Sequence, residues 1–481
     1  MKNLSILSIL LAIFLFSCTK ERIITDSNAK LYFSTDTVTF DTIFTTIGST
    51  TKELKIYNPY NETIIIKSIE LSNKTDYFRL NIDGIASNSL ENIELEGKDS
   101  LYIFIEVTIN PNDQNSPIEI IDSIVFNTNG NMQNVKIQAF GQDMNLIDGQ
   151  YIQTQTWTAE KPYLIINSML VDSLHTLTIE AGSKLYFSRN STLYVKGTLS
   201  VLGEYGKEVV LGGSRLEQMY NDVPGQWNGI VFLDGSRNNM LEYAIIKNAI
   251  IGVNIGYIEN LIKPEVEIRN SRIEHHSYAG IYALDSKIFA TNSIISNCGS
   301  YLAALINGGE YEFLHCTFAN YWNLSVRQEP SIAITNALSY DGNNYTNDLI
   351  KANFQNSIIV GTNETEIAFG KVENADFNYY FENCLIKTNQ EKISENLKNE
   401  SYFKSITYAK NTDKIFVNPY KYNFNLDTVE TVAKNKGNLN LINLYPTLLQ
   451  LDIDKNSRVE DFEPDLGAYE QKKQKSIKLN K

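Results

Sequence analysis

The chain has little cysteine, little histidine, no surplus of basic charge and no apolar run long enough to cross a bilayer. Its 481 residues include four cysteines and four histidines. Beyond Cys18 only Cys298, Cys316 and Cys384 remain, and an odd set of this kind does not make a disulfide framework. A net charge of −14 and a pI near 5.0 exclude nucleic acid as a partner, because no basic patch is available to neutralise phosphates. The same balance disfavours a polybasic contact with anionic lipid. The apolar run from Ile6 to Phe16 is too short to span a membrane. No helical period competes with the strand-like alternation of the rest.

What the chain does have is a repeated phrase. Tyr243-Ala-Ile-Ile246 returns as Asn270-Ser-Arg-Ile273, Asn292-Ser-Ile-Ile295, His315-Cys-Thr-Phe318, Asn356-Ser-Ile-Ile359 and Asn383-Cys-Leu-Ile386, at spacings of 27, 22, 23, 41 and 27 residues. Units of this size cannot bury their own apolar side and must stack on their neighbours, which predicts a solenoid. Short alternating runs such as Val266-Glu-Ile268, Ile288-Phe-Ala290 and Tyr311-Glu-Phe313 make the units strands, and a coil of about 22 residues predicts a right-handed parallel β-helix. The Asn of each phrase suits a tight left-handed turn and a hydrogen bond to its equivalents above and below. The next residue then points inward, predicting one internal stack of Ser271, Ser293, Cys316, Ser357 and Cys384. Ile273, Ile295, Phe318, Ile359 and Ile386 form an apolar stack beside it. Cys316 and Cys384 then lie two rungs apart, roughly 9 to 10 Å, too far for a bridge. The 41-residue step implies an insertion of roughly 18 residues between Trp322 and Asn347.

The N-terminus combines Lys2, the short apolar run and Ser17-Cys18, which describes an export signal. Leu15-Phe16-Ser17-Cys18 resembles the bacterial lipoprotein lipobox, which implies lipidation of Cys18 and a membrane contact through that lipid. The expected order is a signal over residues 1–18, a tether over 19–29 and an immunoglobulin-like β-sandwich over 30–143. A parallel β-helix over 150–390, a C-terminal coil and cap over 391–470 and a disordered tail over 471–481 follow. Regularly spaced strands with an Asn129-Gly130 hairpin signal carry the sandwich assignment. Leu54-Lys-Ile-Tyr-Asn58, Asp99-Ser-Leu-Tyr-Ile103 and Ile137-Gln-Ala-Phe-Gly141 resemble the ASH-type immunoglobulin-like domains of bacterial surface proteins. Gln226-Trp-Asn-Gly-Ile230 and Pro464-Asp-Leu-Gly-Ala-Tyr-Glu470 resemble the opening and closing segments of the lipid-anchored, pectin-lyase-like β-helix proteins common in Bacteroidetes. The resemblance implies an all-β fold and a place on the outer membrane.

Because solenoids of this shape include polysaccharide lyases and hydrolases, clustered acids and bases would point to cleavage. Arg272, Glu274, His275 and His276, with Asp285 one strand on, form the strongest polar cluster, with His275 or His276 as base, Glu274 orienting it and Asp285 as a cation ligand. The competing reading makes them solvated turn residues, and the positions next to the repeated phrase hold few acids. Aromatics crowd the insertion instead, so Tyr321, Trp322, Arg327 and Tyr340 are the expected ligand-binding residues. Asp341-Gly-Asn-Asn-Tyr-Thr-Asn-Asp348 is rich in oxygen donors and makes Ca2+ a candidate cation, although it lacks the order of a calcium loop. No other cofactor is expected. The expected function is non-catalytic adhesion to, or recognition of, a polysaccharide or envelope protein, with cleavage of polysaccharide as the alternative. The residues after Cys18 carry no acidic run, which points to the inner face of the outer membrane. Protease added to intact cells is therefore expected to leave the folded domains uncut; shaving would place them outside.

Overall fold

A computed structural model describes residues 22–73, 76–112, 117–389, 402–460 and 463–471. Cys18 and residues 472–481 lie outside the described residues. The chain divides into two compact units between Met144 and Asn145.

The first unit is an immunoglobulin-like sandwich of ten strands. They are β1 (Tyr32–Phe33), β2 (Thr37–Phe44), β3 (Lys52–Tyr57), β4 (Ile64–Leu71), β5 (Phe78–Ile82), β6 (Ile85–Ala86), β7 (Ser89–Leu95), β8 (Ser100–Val107), β9 (Ile118–Thr128) and β10 (Asn131–Gln142). One sheet has the order β1-β3-β8-β5-β6 and the other β2-β10-β9-β4-β7. All pairs are antiparallel except β2 with β10. Alternation decides which side is buried: Leu101, Ile103, Ile105 and Val107 of β8 face the core, while Tyr102 and Phe104 between them face out. Asn129 and Gly130 both have positive φ, as a two-residue hairpin between right-twisted strands requires.

The second unit is a parallel β-helix. Each regular coil contributes one strand to each of three faces, and every strand pairs in parallel with its equivalent one coil away. Face A includes Glu265–Arg269, Lys287–Thr291, Gly309–Leu314 and Leu349–Gln355. Face B includes Arg272–His276, Ile294–Cys298, Thr317–Asn320 and Ile358–Gly361. Face C includes Ala279–Leu284, Tyr301–Ile306, Ile332–Thr335 and Ile367–Gly370.

The repeated phrase is the corner between faces A and B. Asn270, Asn292, His315, Asn356 and Asn383 all have φ between 48° and 51°, and Tyr243 follows them at 45°. The internal stack forms as expected: Ser271, Ser293, Cys316, Ser357 and Cys384 are buried. Its hydroxyls tie one rung to the next, with the amides of Ser271 and Cys316 each donating to the serine one coil on, at 3.1 Å. Ile273, Ile295, Phe318, Ile359 and Ile386 stand in register beside it. Inside face A a second column, Phe313, Phe354, Phe381 and Phe403, stacks with centroids 4.8 to 5.0 Å apart. The three downstream cysteines are unbridged and buried, and burial pushes each thiol up to about 12.

Two features differ from the expectation. The insertion is split: residues 321–331 lengthen the corner between faces B and C, and a hairpin (Ala337–Tyr340, Asn343–Thr346) lengthens the corner between C and A. The corner amides also bond elsewhere. His315 and Asn356 meet across a rung at 2.9 Å, but Asn292 donates to the carbonyls of Leu448 and Leu451, and Asn383 to that of Lys436.

Those partners belong to the C-terminal segment, whose described residues lie along the side of the solenoid. Ile294, Ala319, Ile358, Val360 and Leu385, the outward apolar residues of face B, pack under Ile415, Phe416, Phe424, Leu466 and Ala468. The segment closes with Gly467 at φ 82°, so near face B that a Cβ would stand 2.5 Å from the Thr317 hydroxyl. The Gly467 amide donates to the Asn356 carbonyl and that of Ala468 to Thr317 Oγ1. Arg458, buried, donates to Glu470, Asn292 and the Gly467 carbonyl.

Asn292 thus joins backbone shape to attachment of this segment. Replacing it with Ala is expected to cost about 2 to 4 kcal/mol, from left-handed strain and two carbonyls left without a donor. Asn292→Gly should recover the strain part only. Urea unfolding midpoints of both variants measure the two contributions; equal stability of Ala and Gly variants would remove the backbone argument.

Candidate ligand-binding groove

On face A the inward positions are apolar, so the residues between them form an outward surface. Glu265, Lys287, Glu310 and Lys351 follow one another in register, one per coil. Beside them run Met240, Glu267, Phe289, Glu312 and Asn353. Together with Asn238 and Asn239 these residues, Asn353 excepted, line an open groove of about 500 Å3. At the A–B corner beside it two short helices, Leu439–Leu444 and Pro446–Leu449, bury Leu441, Ile442 and Leu449 against Leu314. Tyr445, between them, lies 5.9 Å from the Phe289 ring and donates its hydroxyl to Glu312 at 3.3 Å.

The charges in the groove are organised by the rung spacing. Lys351 Nζ is 2.7 Å from Glu312 and 3.4 Å from Glu310, and Lys287 Nζ is 3.5 Å from the other Glu310 oxygen. Burial acts to lower the Lys351 ammonium, but the two glutamates outweigh it and the net shift is upward. All four oxygens of Glu310 and Glu312 are therefore engaged by lysine or tyrosine. The result is a fixed array of acceptors and donors around the half-buried ring of Phe289. Such a surface can hydrogen-bond hydroxyls along an extended ligand and stack one of its rings.

The expectation of few acids on the outward face does not hold for face A. Glu265, Glu267, Glu310 and Glu312 lie on the strand before the Asn phrase, not beside it. The signal was present in the strands themselves, as the positions flanking Val266, Ile268, Tyr311 and Phe313.

The residues singled out as catalytic are not brought together. His275 sits at the B–C corner with φ 59°, buried, its ring edge-on to Tyr422 at 4.4 Å and 3.9 Å from Asp222. Burial lowers its pKa, more than the nearby carboxylates of Glu274 and Asp222 raise it. Asp285 lies at the far end of face C, a six-residue strand or roughly 20 Å away, and is paired with Lys263 at 2.5 Å. Arg272 and Glu274 are on face B; Arg272 lines a small cleft of about 110 Å3 with Tyr243, Asp454 and Tyr469.

The aromatic set is likewise dispersed. Tyr321 packs on Phe416, Tyr420 and Phe424 of the C-terminal segment. Trp322 bonds Ser325 and lies against Gly299. Arg327 is buried in a two-pronged pair with Glu366, which also accepts from Ser331 and Asn363, so it anchors the 321–331 loop. Tyr340 is exposed on the separate hairpin, whose tip is Asp341-Gly342 with both residues at positive φ. That turn accounts for the oxygen-rich stretch read as a calcium loop. Among the described residues no group of three or more His, Cys, Asp or Glu is placed to hold a metal.

No protein-family model matches the chain, and no curated protein is similar to it. Solved structures similar to parts of it include the periplasmic chaperone SfaE, at 13% identity over 24% of this chain and 58% of that one, with a TM-score of 0.18. The ASH/PapD-like domain 7 of human CEP192 is matched at 12% identity over 27% of this chain and 94% of that domain, TM-score 0.17. The catalytic domain of a GH87 α-1,3-glucanase in complex with nigerose is matched at 9% identity over 71% of this chain and 81% of that one, TM-score 0.17. The chain thus spans little more than half the length of SfaE.

His276, next to His275, turns into the core, where its Nδ1 accepts from the Ala249 amide. Burial, and then neighbouring His275, push it down to about 3. In the unfolded chain the imidazole titrates near 6.5, so below that pH the unfolded state takes up a proton that the folded state refuses. The stability this provides is full above pH 6.5 and is lost as pH falls toward 3, on the order of 4 kcal/mol at the acid end. His276→Leu should flatten the fall in urea midpoint between pH 7 and pH 4; an unchanged slope would show that this ring does not carry it.

Proposed function

We propose that this chain is a lipid-anchored envelope protein whose β-helix presents the groove of face A to an extended carbohydrate, without cleaving it. The observation that carries the reading is the groove itself, about 500 Å3, open, and lined across successive coils by charged groups around Phe289. Its lining holds four carboxylates, Glu265, Glu267, Glu310 and Glu312, against the two ammonium groups of Lys287 and Lys351. The acid surplus favours neutral or amino-bearing sugars over polyuronates. Anchoring rests on Leu15-Phe-Ser-Cys18, and the periplasmic side of the outer membrane on the lack of an acidic run behind it. An envelope protein with a hydroxyl-rich or basic surface is the other partner the groove suits.

One observation favours cleavage as a second reading. Glu267 and Glu312 occupy the same column two rungs apart, roughly 9 to 10 Å along the stack, near the spacing of an inverting carboxylate pair. Against it, Glu267 is tied to Arg269 and Glu312 to Lys351 and Tyr445, so both would first have to release their partners.

The test is to titrate the protein with neutral, amino-bearing and acidic oligosaccharides while following release of reducing or unsaturated ends, with and without calcium. Binding of neutral or amino-bearing chains without product is expected, and Phe289→Ala should weaken it about tenfold. Product that disappears in Glu312→Gln would replace the recognition role with catalysis.

A further inference from the structure

A second cavity, on the other side of the solenoid wall, has the opposite charge and a different size. It lies where Val360, Gly361 and Thr362 at the end of face B and Lys387 in the next coil meet residues 409–420 of the C-terminal segment. Its volume is about 340 Å3, at the small end of ligand sites, which suits one ring.

The walls are fixed by contacts of the lining residues with one another and with Phe416 and Phe424 behind them. Tyr321 is held by Phe416 and Phe424 at 6.2 Å, and Tyr420 stands edge-on to it at 5.5 Å and 79°. Tyr420 is 64% exposed, so one of its faces is free. Lys387 donates to the Gly361 carbonyl at 2.7 Å, which sets the ammonium on the cavity wall with two donors left. The Lys410 loop is closed by its own amide donating to Asp413 at 2.7 Å. The lining therefore carries Lys387 and Lys410 against Asp413, an excess of positive charge, beside Thr362 and Asn411 as hydroxyl partners.

We propose that this cavity binds a single carboxylate-bearing sugar ring, stacked on Tyr420 with its carboxylate on Lys387. An anion there restores what burial takes from the lysine: desolvation lowers the Lys387 pKa, although Glu366 and Glu364 act to raise it. The aromatic face selects a ring over a small acid, and the polar remainder of the wall selects a hydroxylated ring over an apolar one. The site is separate from face A and does not rest on the reading of that groove.

The experiment is calorimetric titration of the purified protein with galacturonate, galactose, acetate and a galacturonate trimer. Galacturonate is expected to bind at least tenfold more tightly than galactose or acetate. Lys387→Met and Tyr420→Ala should each weaken it at least tenfold, and Phe289→Ala should leave it unchanged. Trimer bound more tightly than monomer identifies a chain end as the source of the acid; equal affinity identifies the free sugar acid. Tyr420 is on an exposed turn, so that variant carries the test if Lys387→Met fails to fold. Equal binding of galactose and galacturonate, no galacturonate binding, or a folded Tyr420→Ala variant that binds as the parent overturns the proposal.

Discussion

Parallel stacking of the coils in strict register is the constraint on which the rest of the second unit depends. A single coil has no closed core, and its strands offer backbone donors and acceptors that only another coil can satisfy. Registry is held at the A–B corner, where a left-handed residue turns the chain and the small residue after it bonds the next rung from inside. Because that corner returns at the same place in each coil, every outward position also returns. Columns of identical placement follow, and they make a surface in which Glu310 can meet both Lys287 and Lys351.

The C-terminal segment turns this column logic to a second use. Several outward positions on face B, from Ile294 to Leu385, are apolar, where a solvent-facing sheet would be polar. They are covered by a segment that has little regular structure of its own and gains its order from Arg458, Asn356 and Gly467. Glu470 illustrates the cost of such a junction: burial raises its pKa to about 7 although Arg458 draws it back. By covering face B and placing Tyr445 against Phe289 and Glu312 of face A, the same segment both closes the solenoid's side and builds a wall of the second cavity.

The two cavities differ in charge for a structural reason. Face A exposes strand positions whose glutamates exceed its lysines, while the second cavity takes its lysines from loops at the margin of face B. A long solenoid can thus hold sites of unlike preference on different faces of the same coils, because the faces share a core but not an outer surface.

The repeated phrase and the alternation of Val266, Ile268, Tyr311 and Phe313 were enough to determine a coil, its inward stack and its tight corner, since those depend on spacing that any reader of the chain can follow. The sandwich was legible for the same reason, although strands such as Phe78–Ile82 and Ser89–Leu95 gave weaker signals. What spacing cannot convey is which distant segment lies on which face. Tyr321 and Trp322 read as free aromatics until Phe416 and Phe424 are placed beside the first, and Arg327 as a ligand contact until Glu366 closes on it. His275 and Asp285, ten positions apart in sequence, are separated by the whole width of face C. Local periodicity by itself determined the architecture; the placement of residues 402–471 against the coils, a matter of long-range packing that no short window encodes, decided which surfaces remain open to a ligand.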